Sequence, residues 1–464
     1  MSRVHHFHPT ILREYDVRGV VGETLGADDA RALGRTFASV VRRGGGRRIV
    51  VGRDGRLTSP MLEQALVEGL CAAGADVIRI GLGPSPMLYF AEATLEGVDA
   101  GVMVTGSHNP RDHNGFKMVV GGRPFYGADI ARLAAMAQAG DCEQGQGRCT
   151  ERDVGEAYVD ALLGGLAGID LRRLEGMRIG WDAGNGAAGP VLERLVARLP
   201  GEHRLLFAEV DGRFPNHHPD PTIEANLADL KALVAAENLD FGVAFDGDAD
   251  RIGVVDRTGG VIWGDQLLTI FAEDLLRRRP GAMVIGDVKA SRVLYDTIAR
   301  LGGRPVMWKS GHSHLKARMQ ETGALLGGET SAHVFFADDW YGFDDALYAA
   351  VRLIAATVRL GRTVTQMRAA MPVTANTPEL RFPVDEARKF AAVEEVRARL
   401  AAAGARVCDI DGVRVDTPDG WWLLRASNTQ AVLTARAESE TGEGLDRLVA
   451  EIDRQLALSG LSRG

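Results

Sequence analysis

Three aspartates alternate with small residues in the segment FGVAFDGDADR. Asp246, Asp248 and Asp250 follow an apolar run, and alternate residues of an extended or tightly turned segment point the same way. Converging carboxylates need a cation, and all-oxygen ligands favour Mg²⁺. An EF-hand is a poor fit, because Arg251 and Arg257 stand where that loop requires glycine and glutamate. The segment predicts a magnesium site, with Arg251 beside it to stabilise a transferring phosphoryl group.

A serine follows a second apolar run in TGSHNPRDHNGFK, and its neighbours make it a candidate nucleophile. Ser107 is outside any GxSxG pattern, so an α/β-hydrolase elbow is not indicated. His108 and Asn109 can donate hydrogen bonds, and Lys117 could remove or deliver a proton. A phosphate on Ser107 would carry about −1.5 to −2 charges, and Mg²⁺ would bridge it to the aspartates. We therefore predict that Ser107, His108 and Lys117 are catalytic, with phosphorylated Ser107 as a further metal ligand.

Two more polar loops suit a sugar phosphate. In GGETSAH, Glu329, Ser331 and His333 alternate and can face one pocket that holds sugar hydroxyls. In RASNT, one arginine accompanies three polar side chains and backbone N–H groups, a set that suits a phosphate dianion. The members of this second loop are Arg425, Ser427, Asn428 and Thr429.

Two weaker signals lie in EYDVRG and KSGHSHLK. The first supplies Tyr15 and Arg18. The second supplies His312, and a histidine near pH 7 can be an acid, a base or a simple donor. We expect Arg18 and His312 either to help proton movement or to hold the sugar ring.

A weak internal repeat would place the first three loops at equivalent positions. RIVVGRD, MRIGWD and AMVIGD are apolar strands that end in an aspartate, and a helical pattern follows each. Short strands that alternate with amphipathic helices predict α/β units with buried, largely parallel sheets. Each unit later has a small-residue strand that runs into a polar loop, where ligands of open sheets gather. The predicted helices are Ser59–Ala73, Pro190–Leu199 and Ser291–Leu301.

The last hundred residues predict a different, antiparallel α+β domain. Pro372–Pro383 reads as a linker, and Asp385–Ala403 and Gly442–Leu456 read as helices. Between them, Trp421–Arg425 and Ala431–Arg436 form a predicted hairpin around RASNT. The fold class is therefore α/β, with three similar α/β domains with mixed sheets around a central cleft and a smaller C-terminal α+β domain. The predicted domains are residues 1–152, 153–254, 255–370 and 371–464.

Composition excludes several other classes of partner. The formal net charge is −8 over 464 residues, and no basic block stands out, so nucleic acid is a poor partner. No apolar run approaches the roughly 20 residues of a membrane span. The four cysteines form no metal-binding pattern, which fits reduced thiols in a cytoplasm. We expect a cytoplasmic protein that binds small molecules and is a monomer, with a dimer as the alternative.

Together these motifs resemble the α-D-phosphohexomutase family, most closely its bacterial phosphomannomutase/phosphoglucomutase branch. The resemblance runs from Tyr15 to about Arg436, and TGSHNP, NGFK and DGDADR are its most specific parts. It implies that hexose 1-phosphate and hexose 6-phosphate interconvert through phosphoserine and a 1,6-bisphosphate. It also implies Mg²⁺ as cofactor and glucose or mannose 1,6-bisphosphate as activator. The chain departs from the family pattern at Ala332, Gln430 and Ala431, which bear on substrate preference.

The resemblance also implies roles for single residues. It gives the metal to Ser107, Asp246, Asp248 and Asp250. It gives sugar contacts to Glu329, Ser331 and His333, and the distal phosphate to Arg425, Ser427, Asn428 and Thr429. Six further residues match positions that lie near the reacting phosphate or the sugar in the family, namely Tyr15, Arg18, Lys117, Arg251, Lys289 and His312.

Three alternatives remain open from the sequence. An aspartate-nucleophile phosphatase would use Asp246 for attack and Asp248 as the acid, but it gives the other loops no role. A sugar-phosphate sensor would bind the same ligands without turnover. A phosphoglucosamine mutase would share the reaction and differ in the sugar.

Overall fold

The computed structural model describes residues 4–427 and 430–462, and they form four units that each have their own β-sheet. Within these ranges, no helix is both long enough and apolar enough to cross a membrane. The elements are numbered below in chain order.

The first unit holds a seven-stranded mixed sheet. Its strands are β1 (Val17–Val20), β2 (Arg48–Arg53), β3 (Asp76–Leu82), β4 (Ala100–Val104), β5 (His113–Val120), β6 (Arg123–Pro124) and β7 (Cys149–Glu151). Its helices are α1 (Ala27–Arg43), α2 (Ser59–Ala72), α3 (Ser85–Thr94) and α4 (Ala128–Ala139). The strand order is β1-β5-β4-β2-β3-β7, in which β4, β2, β3 and β7 are parallel and β5 and β1 pair antiparallel.

The second unit holds a five-stranded mixed sheet in the order β12-β11-β10-β8-β9. Its strands are β8 (Arg178–Asp182), β9 (Glu202–Leu206), β10 (Phe241–Phe245), β11 (Ile252–Asp256) and β12 (Val261–Ile262). Its helices are α5 (Gly155–Leu163), α6 (Gly189–Val196) and α7 (Ala228–Ala236). The sheet extends past residue 254, where the sequence analysis places a domain boundary, because β12 pairs with β11.

The third unit holds a four-stranded sheet in the order β14-β13-β15-β16, of which only β16 is antiparallel to its neighbour. Its strands are β13 (Met283–Asp287), β14 (Arg304–Trp308), β15 (Leu326–Gly328) and β16 (Val334–Phe336). Its helices are α8 (Gly264–Arg278), α9 (Arg292–Arg300), α10 (His312–Thr322), α11 (Ala346–Leu360) and α12 (Val364–Ala369).

The fourth unit holds a six-stranded antiparallel sheet with two helices. Its strands are β17 (Ala375–Asn376), β18 (Leu380–Pro383), β19 (Val407–Cys408), β20 (Val413–Thr417), β21 (Gly420–Ala426) and β22 (Val432–Ser439). Its helices are α13 (Lys389–Ala402) and α14 (Gly442–Ala457). Three mixed α/β units and a C-terminal antiparallel unit confirm the predicted fold class.

One prediction about this unit is wrong. The stretch Pro372–Pro383, predicted as a linker, contributes β17 and β18, which both pair with β22. Phe382 is buried in the core of the fourth unit, which holds the stretch against the sheet. Pro383 is tolerated because it closes a strand at the edge of the sheet, where a missing N–H donor breaks little of the ladder.

The largest hydrophobic core is shared by the second unit, the third unit and one face of the first unit's sheet, whereas the first unit's other face and the fourth unit have cores of their own. Helix α11 is apolar on most of its surface and buried along nearly its whole length within the shared core. Its N-cap, Asp345, accepts hydrogen bonds from the Tyr348 amide at 2.8 Å and from the Tyr158 hydroxyl of α5 at 2.8 Å. This buried carboxyl therefore joins the second unit to the third.

We expect Asp345→Asn to stabilise the protein at pH 8 by about 1–3 kcal/mol and to have little effect near pH 4. Burial raises the pKa of Asp345 from 3.8 to about 7, so the folded state holds a proton that the unfolded chain releases. The stability that this proton confers is therefore lost as pH rises from about 4 to about 7. Asparagine keeps the cap and stays neutral, so urea unfolding of both proteins across this range measures the difference.

A control is Asp160→Asn, which changes an exposed carboxylate of α5, the helix whose Tyr158 contacts Asp345. The dependence of the unfolding free energy on pH should be the same for Asp160→Asn and for the unchanged protein. An Asp345→Asn effect of equal size at pH 5 and pH 8 would contradict the proposed protonation.

Candidate active site

Two loops from different units meet at the centre of the molecule. Strand β4 runs into the loop of Ser107, and β10 runs into the loop of Asp246. The Ser107 hydroxyl donates a hydrogen bond to Asp246 Oδ2 at 2.8 Å, and both residues are buried. A Cβ at Gly247 would lie 2.5 Å from the Ser107 carbonyl oxygen, so glycine is required for this approach. The structure thus places the predicted nucleophile against the predicted metal cluster.

Ser107 has a left-handed backbone conformation, with φ of +48°. This conformation costs a non-glycine residue about 1–2 kcal/mol, so the surrounding loop must hold it in place. The Ser107 amide donates to Thr105 Oγ1 at 2.8 Å, and Arg56 Nη2 donates to the Ser107 carbonyl at 2.7 Å. The backbone therefore aims the hydroxyl at the acid cluster.

Arg56 is a functional residue that the sequence analysis missed. Its guanidinium is buried and donates to four carbonyl oxygens of the serine loop, those of Ser107, Asn109, Pro110 and His113. A signal was present, because Arg56 lies two residues beyond the strand-end aspartate of the first repeat. Nothing in the local pattern tells a loop-binding arginine from a solvated one.

Two of the three strand-end aspartates of the repeat support the candidate loops. Asp54 accepts from Thr105 Oγ1 at 2.8 Å and from the Gly106 amide at 3.0 Å, both in the serine loop. Asp287 accepts from the Ser310 hydroxyl and from the Thr330 amide, in the two polar loops of the third unit. The repeat was recognised from the sequence, but these carboxylates received no role there.

The three aspartates form a compact cluster. One oxygen from each of Asp246, Asp248 and Asp250 lies within 4.8 Å of the others, and all three side chains are fully buried. Lys117 Nζ donates to Asp248 Oδ2 at 2.7 Å and also to Asp250 Oδ2. Burial and the two neighbouring carboxylates hold the pKa of Asp246 well above its usual range. Burial opposes ionisation of Asp248 too, but Lys117 and Ser85 hold its pKa below the usual range.

Lys117 is a buried cation in this arrangement. Burial alone would lower its pKa, but Asp248 and Asp250 outweigh that effect and hold the pKa well above the usual range. The ammonium group is therefore placed to offset negative charge or to donate a proton. Action as a base requires the neutral amine, so that role stays a prediction.

The aspartate cluster fits a divalent cation with oxygen ligands. Asp248 Oδ1 and Asp250 Oδ1 are buried, and neither has a hydrogen-bond partner among the described residues. Unsatisfied carboxylate oxygens in a buried site are costly, and a bound cation would satisfy them. The Ser107 hydroxyl lies at the same cluster and would bring a phosphate to the same place.

A second group of side chains lies beside the cluster. Arg251 Nε donates to His333 Nε2 at 3.1 Å, and His333 Nδ1 lies 3.0 Å from Asp344 Oδ2. Burial raises the pKa of the Asp344 carboxyl, but Lys316 and the two histidines outweigh this effect and hold the pKa well below its usual range. His312 Nδ1 lies 3.7 Å from the same carboxylate, and burial and Lys316 lower its pKa.

Asp344 and Lys316 were not identified from the sequence. Asp344 lies in the loop before α11, and Lys316 donates to its Oδ1 at 2.9 Å. The pair fixes the carboxylate that faces both histidines. Lys316 belongs to the KSGHSHLK segment that supplied His312, which was the available signal.

The segment from Glu329 to His333, whose alternate residues were predicted to face one pocket, is a tight turn. Ala332 has φ of +71°, and the Glu329 amide donates to the His333 carbonyl at 3.0 Å. Glu329 instead reaches the Gly311 amide, which donates to its Oε1 at 2.6 Å. Both Glu329 and His333 remain buried at the site, and Ser331 lies on the turn between them.

Three further candidates belong to the first unit. Arg18 and His108 lie at the serine loop, and Tyr15 lies where the first unit meets the third. Arg18 Nη1 donates to the Gly106 carbonyl at 3.1 Å and also to Asn109 Oδ1. His108 Nδ1 lies 3.3 Å from the Ser107 hydroxyl oxygen. Burial and the charge of Arg251 lower the pKa of His108. Tyr15 donates to the Ser310 carbonyl at 3.1 Å and packs edge-on against His312 at 5.6 Å.

The fourth unit brings its phosphate loop to the third. Arg425 is buried at the end of β21, and its Nε donates to Asp411 Oδ2 at 3.0 Å. Ser427 follows on the same loop, whereas Asn428 and Thr429 lie outside the described residues. Lys289, from the third unit, lies 3.5 Å from Glu379 Oε2 of the fourth. Arg425 and Lys289 are therefore both at the boundary of these two units.

Comparisons with known proteins agree with this geometry. Four models of phosphoglucomutase/phosphomannomutase domains match, namely α/β/α domain I at 9–143, domain II at 156–260, domain III at 263–374 and the C-terminal domain at 379–455. A phosphomannomutase/phosphoglucomutase of Pseudomonas aeruginosa is 45% identical over 96% of this chain and 95% of its own. A phosphoglucomutase of Neisseria gonorrhoeae is 43% identical over 94% of this chain and 95% of its own.

A solved structure supports the same relationship. A phosphoglucomutase/phosphomannomutase family protein of Burkholderia thailandensis superposes with a TM-score of 0.91 at 44% identity, over 98% of each chain. The fold and the site together define a four-domain enzyme of phosphoryl transfer. The chain belongs to the phosphoglucomutase/phosphomannomutase family, as its motifs predicted.

Proposed function

We propose that this protein is a phosphohexomutase that interconverts the 1-phosphate and 6-phosphate of mannose, glucose or both, through phosphoserine at position 107. One observation carries the proposal, which is the 2.8 Å contact between the Ser107 hydroxyl and the Asp246 carboxylate of another domain. Family membership and the names of the relatives support the same reaction.

Mg²⁺ would be held by Asp246, Asp248, Asp250 and a phosphate on Ser107. When bound, it would neutralise charge on the transferring phosphoryl group. Arg251, which donates a hydrogen bond to His333, would add a fixed positive charge beside the transferring phosphoryl group. Positioning and electrostatics then supply most of the catalysis, because phosphoryl transfer asks little covalent chemistry of the protein.

The reaction consists of two transfers. In the first, the bond from Ser107 Oγ to phosphorus breaks and a sugar hydroxyl forms the new bond, so that a hexose 1,6-bisphosphate results. The sugar hydroxyl gives its proton to Lys117 in its neutral form, our proposed acceptor, and the resulting ammonium protonates Ser107 Oγ. After the bisphosphate turns over in the cleft, the bond from its other phosphorus to the sugar oxygen breaks, Ser107 Oγ forms the new bond, and the Ser107 proton passes to the sugar oxygen.

Glu329 is the proposed grip on the sugar ring, with Ser331 and His333 beside it. A carboxylate that accepts from two vicinal hydroxyls need not contact the hydroxyl at carbon 2, where glucose and mannose differ. The distal phosphate would lie on Arg425, Ser427, Asn428 and Thr429, with Lys289, Tyr15, Arg18 and His312 around the ring. Such a site accepts the ligand in two opposite orientations.

We expect glucose 1-phosphate and mannose 1-phosphate both to turn over, with kcat/KM values within about 100-fold of each other. A coupled assay of both sugars and of glucosamine 1-phosphate, primed with glucose 1,6-bisphosphate, measures this. Complete rejection of the mannose phosphates would contradict dual specificity. A clear preference for glucosamine would instead support a phosphoglucosamine mutase.

Several further features stay predictions. The bisphosphate activator follows from the proposed chemistry, because an unphosphorylated Ser107 needs a phosphoryl donor. A cytoplasmic location, a monomeric state with a dimer as the alternative, and sugar phosphates rather than nucleic acid as partners are further predictions. Size-exclusion chromatography with light scattering tests the oligomeric state.

A further inference from the structure

We propose that Asp411 is a positioning residue that sets the affinity for sugar phosphates, an inference that rests on the function proposed above. Its carboxylate joins the phosphate loop of the fourth unit to a turn of the third. Asp411 Oδ2 accepts from Arg425 Nε at 3.0 Å and from the Ser310 amide at 3.1 Å. Asp411 lies in the turn between β19 and β20, where no sequence motif marks it.

The two contacts are well protected from solvent. The side chains of Arg425 and Asp411 are 8% and 13% exposed. An ion pair shielded to this degree is screened less by water and salt than a surface pair. The Asp411 carboxylate can therefore hold both partners in fixed positions.

The turn that Asp411 binds is also the turn that binds the proposed sugar carboxylate. The Ser310 amide donates to Asp411, and the next amide, that of Gly311, donates to Glu329 Oε1 at 2.6 Å. Gly311 has φ of +126°, and a Cβ there would lie 2.4 Å from the Tyr15 hydroxyl. Two consecutive peptide units thus connect Asp411 of the fourth unit, Glu329 of the third and Tyr15 of the first.

The geometry of the ion pair favours positioning over competition with the phosphate. Asp411 makes its closest contact with Arg425 through Nε. The edge formed by Nη1 and Nη2 is a second face of the guanidinium that can bind a phosphate in a bidentate manner. A carboxylate anchored at Nε orients that edge, so loss of its charge should loosen both the phosphate cradle and the Ser310–Gly311 turn.

We expect Asp411→Asn to raise KM for glucose 1-phosphate about 10-fold and to change kcat less than threefold. The contacts that it orients grip the distal phosphate and the ring, which are held in both the ground state and the transition state. Asp411→Glu keeps the charge and should recover at least part of the affinity. Asp409→Asn removes a more exposed carboxylate two residues away and should match the unchanged protein.

Calorimetry with unphosphorylated full-length protein measures glucose 1-phosphate binding without turnover. The same weakening for Asp411→Asn, with recovery in Asp411→Glu, would support the proposal. An affinity within twofold of the unchanged protein, or a tighter one, would overturn it. Equal losses in the asparagine and glutamate variants, with lowered thermal stability in both, would also overturn it, because they indicate a merely structural role. Absence of mutase turnover in the unchanged protein would refute the proposed function, whereas the binding comparison tests Asp411 alone.

Discussion

Ser107→Ala is expected to reduce mutase turnover by at least about 1000-fold, because the substitution removes the atom that carries the phosphoryl group between the two transfers. Ser107 is buried, and Arg56 holds its strained backbone in place. Its hydroxyl contacts Asp246 directly. A residue with a merely structural hydroxyl has no need of such a placement. The coupled glucose 1-phosphate assay with bisphosphate present measures the loss.

The matched control is Ser39→Ala, which removes a buried hydroxyl that bonds the Arg35 carbonyl inside helix α1. This variant should keep nearly all activity. Thermal unfolding of both variants establishes that any loss in Ser107→Ala is chemical. Retention of a tenth or more of the turnover by folded Ser107→Ala would contradict the covalent mechanism.

Asp248→Asn is expected to lower activity on the order of 100-fold or more and to raise the Mg²⁺ concentration needed for half-maximal activity. Asp248 is fully buried, its Oδ1 has no hydrogen-bond partner among the described residues, and its Oδ2 binds Lys117 and Ser85. Asparagine keeps the shape but removes one charge of the proposed metal site. The affinity for a divalent cation falls with that charge.

Mg²⁺ titrations of activity, after removal of metal with EDTA, test this prediction. Asp296→Asn is the control, because Asp296 is an exposed carboxylate of helix α9 that pairs with Arg292. Its Mg²⁺ dependence should equal that of the unchanged protein. Full activity of the protein in excess EDTA, or an unshifted titration of Asp248→Asn, would contradict the assigned ligands.

The fold could be predicted from sequence because its signals are local and repeated. Apolar strands such as Arg48–Arg53 and Met283–Asp287 alternate with amphipathic helices three times, and each repeat brings a polar loop to a strand end. The meeting of the Ser107 and Asp246 loops followed from charge, because a phosphate and three carboxylates need a shared cation. The first argument uses residues that are close in sequence, and the second uses charge balance between two motifs that are far apart.

The residues that escaped prediction act through contacts between separate loops. Arg56, Asp344 and Asp411 are single charged residues without a surrounding motif, and their partners are distant in the chain. Their importance depends on how loops dock, which local periodicity does not encode. The left-handed conformation of Ala332 in the Glu329–His333 turn could not be predicted for a related reason, since alanine does not favour it.

Mass spectrometry of peptides from protein treated with glucose 1,6-bisphosphate tests the central claim most directly. We predict one added phosphate on the peptide that contains Ser107, lost when hexose monophosphate is added in excess. Phosphate on the Asp246 peptide, or none on Ser107 in a preparation that turns over substrate, would contradict a phosphoserine mutase.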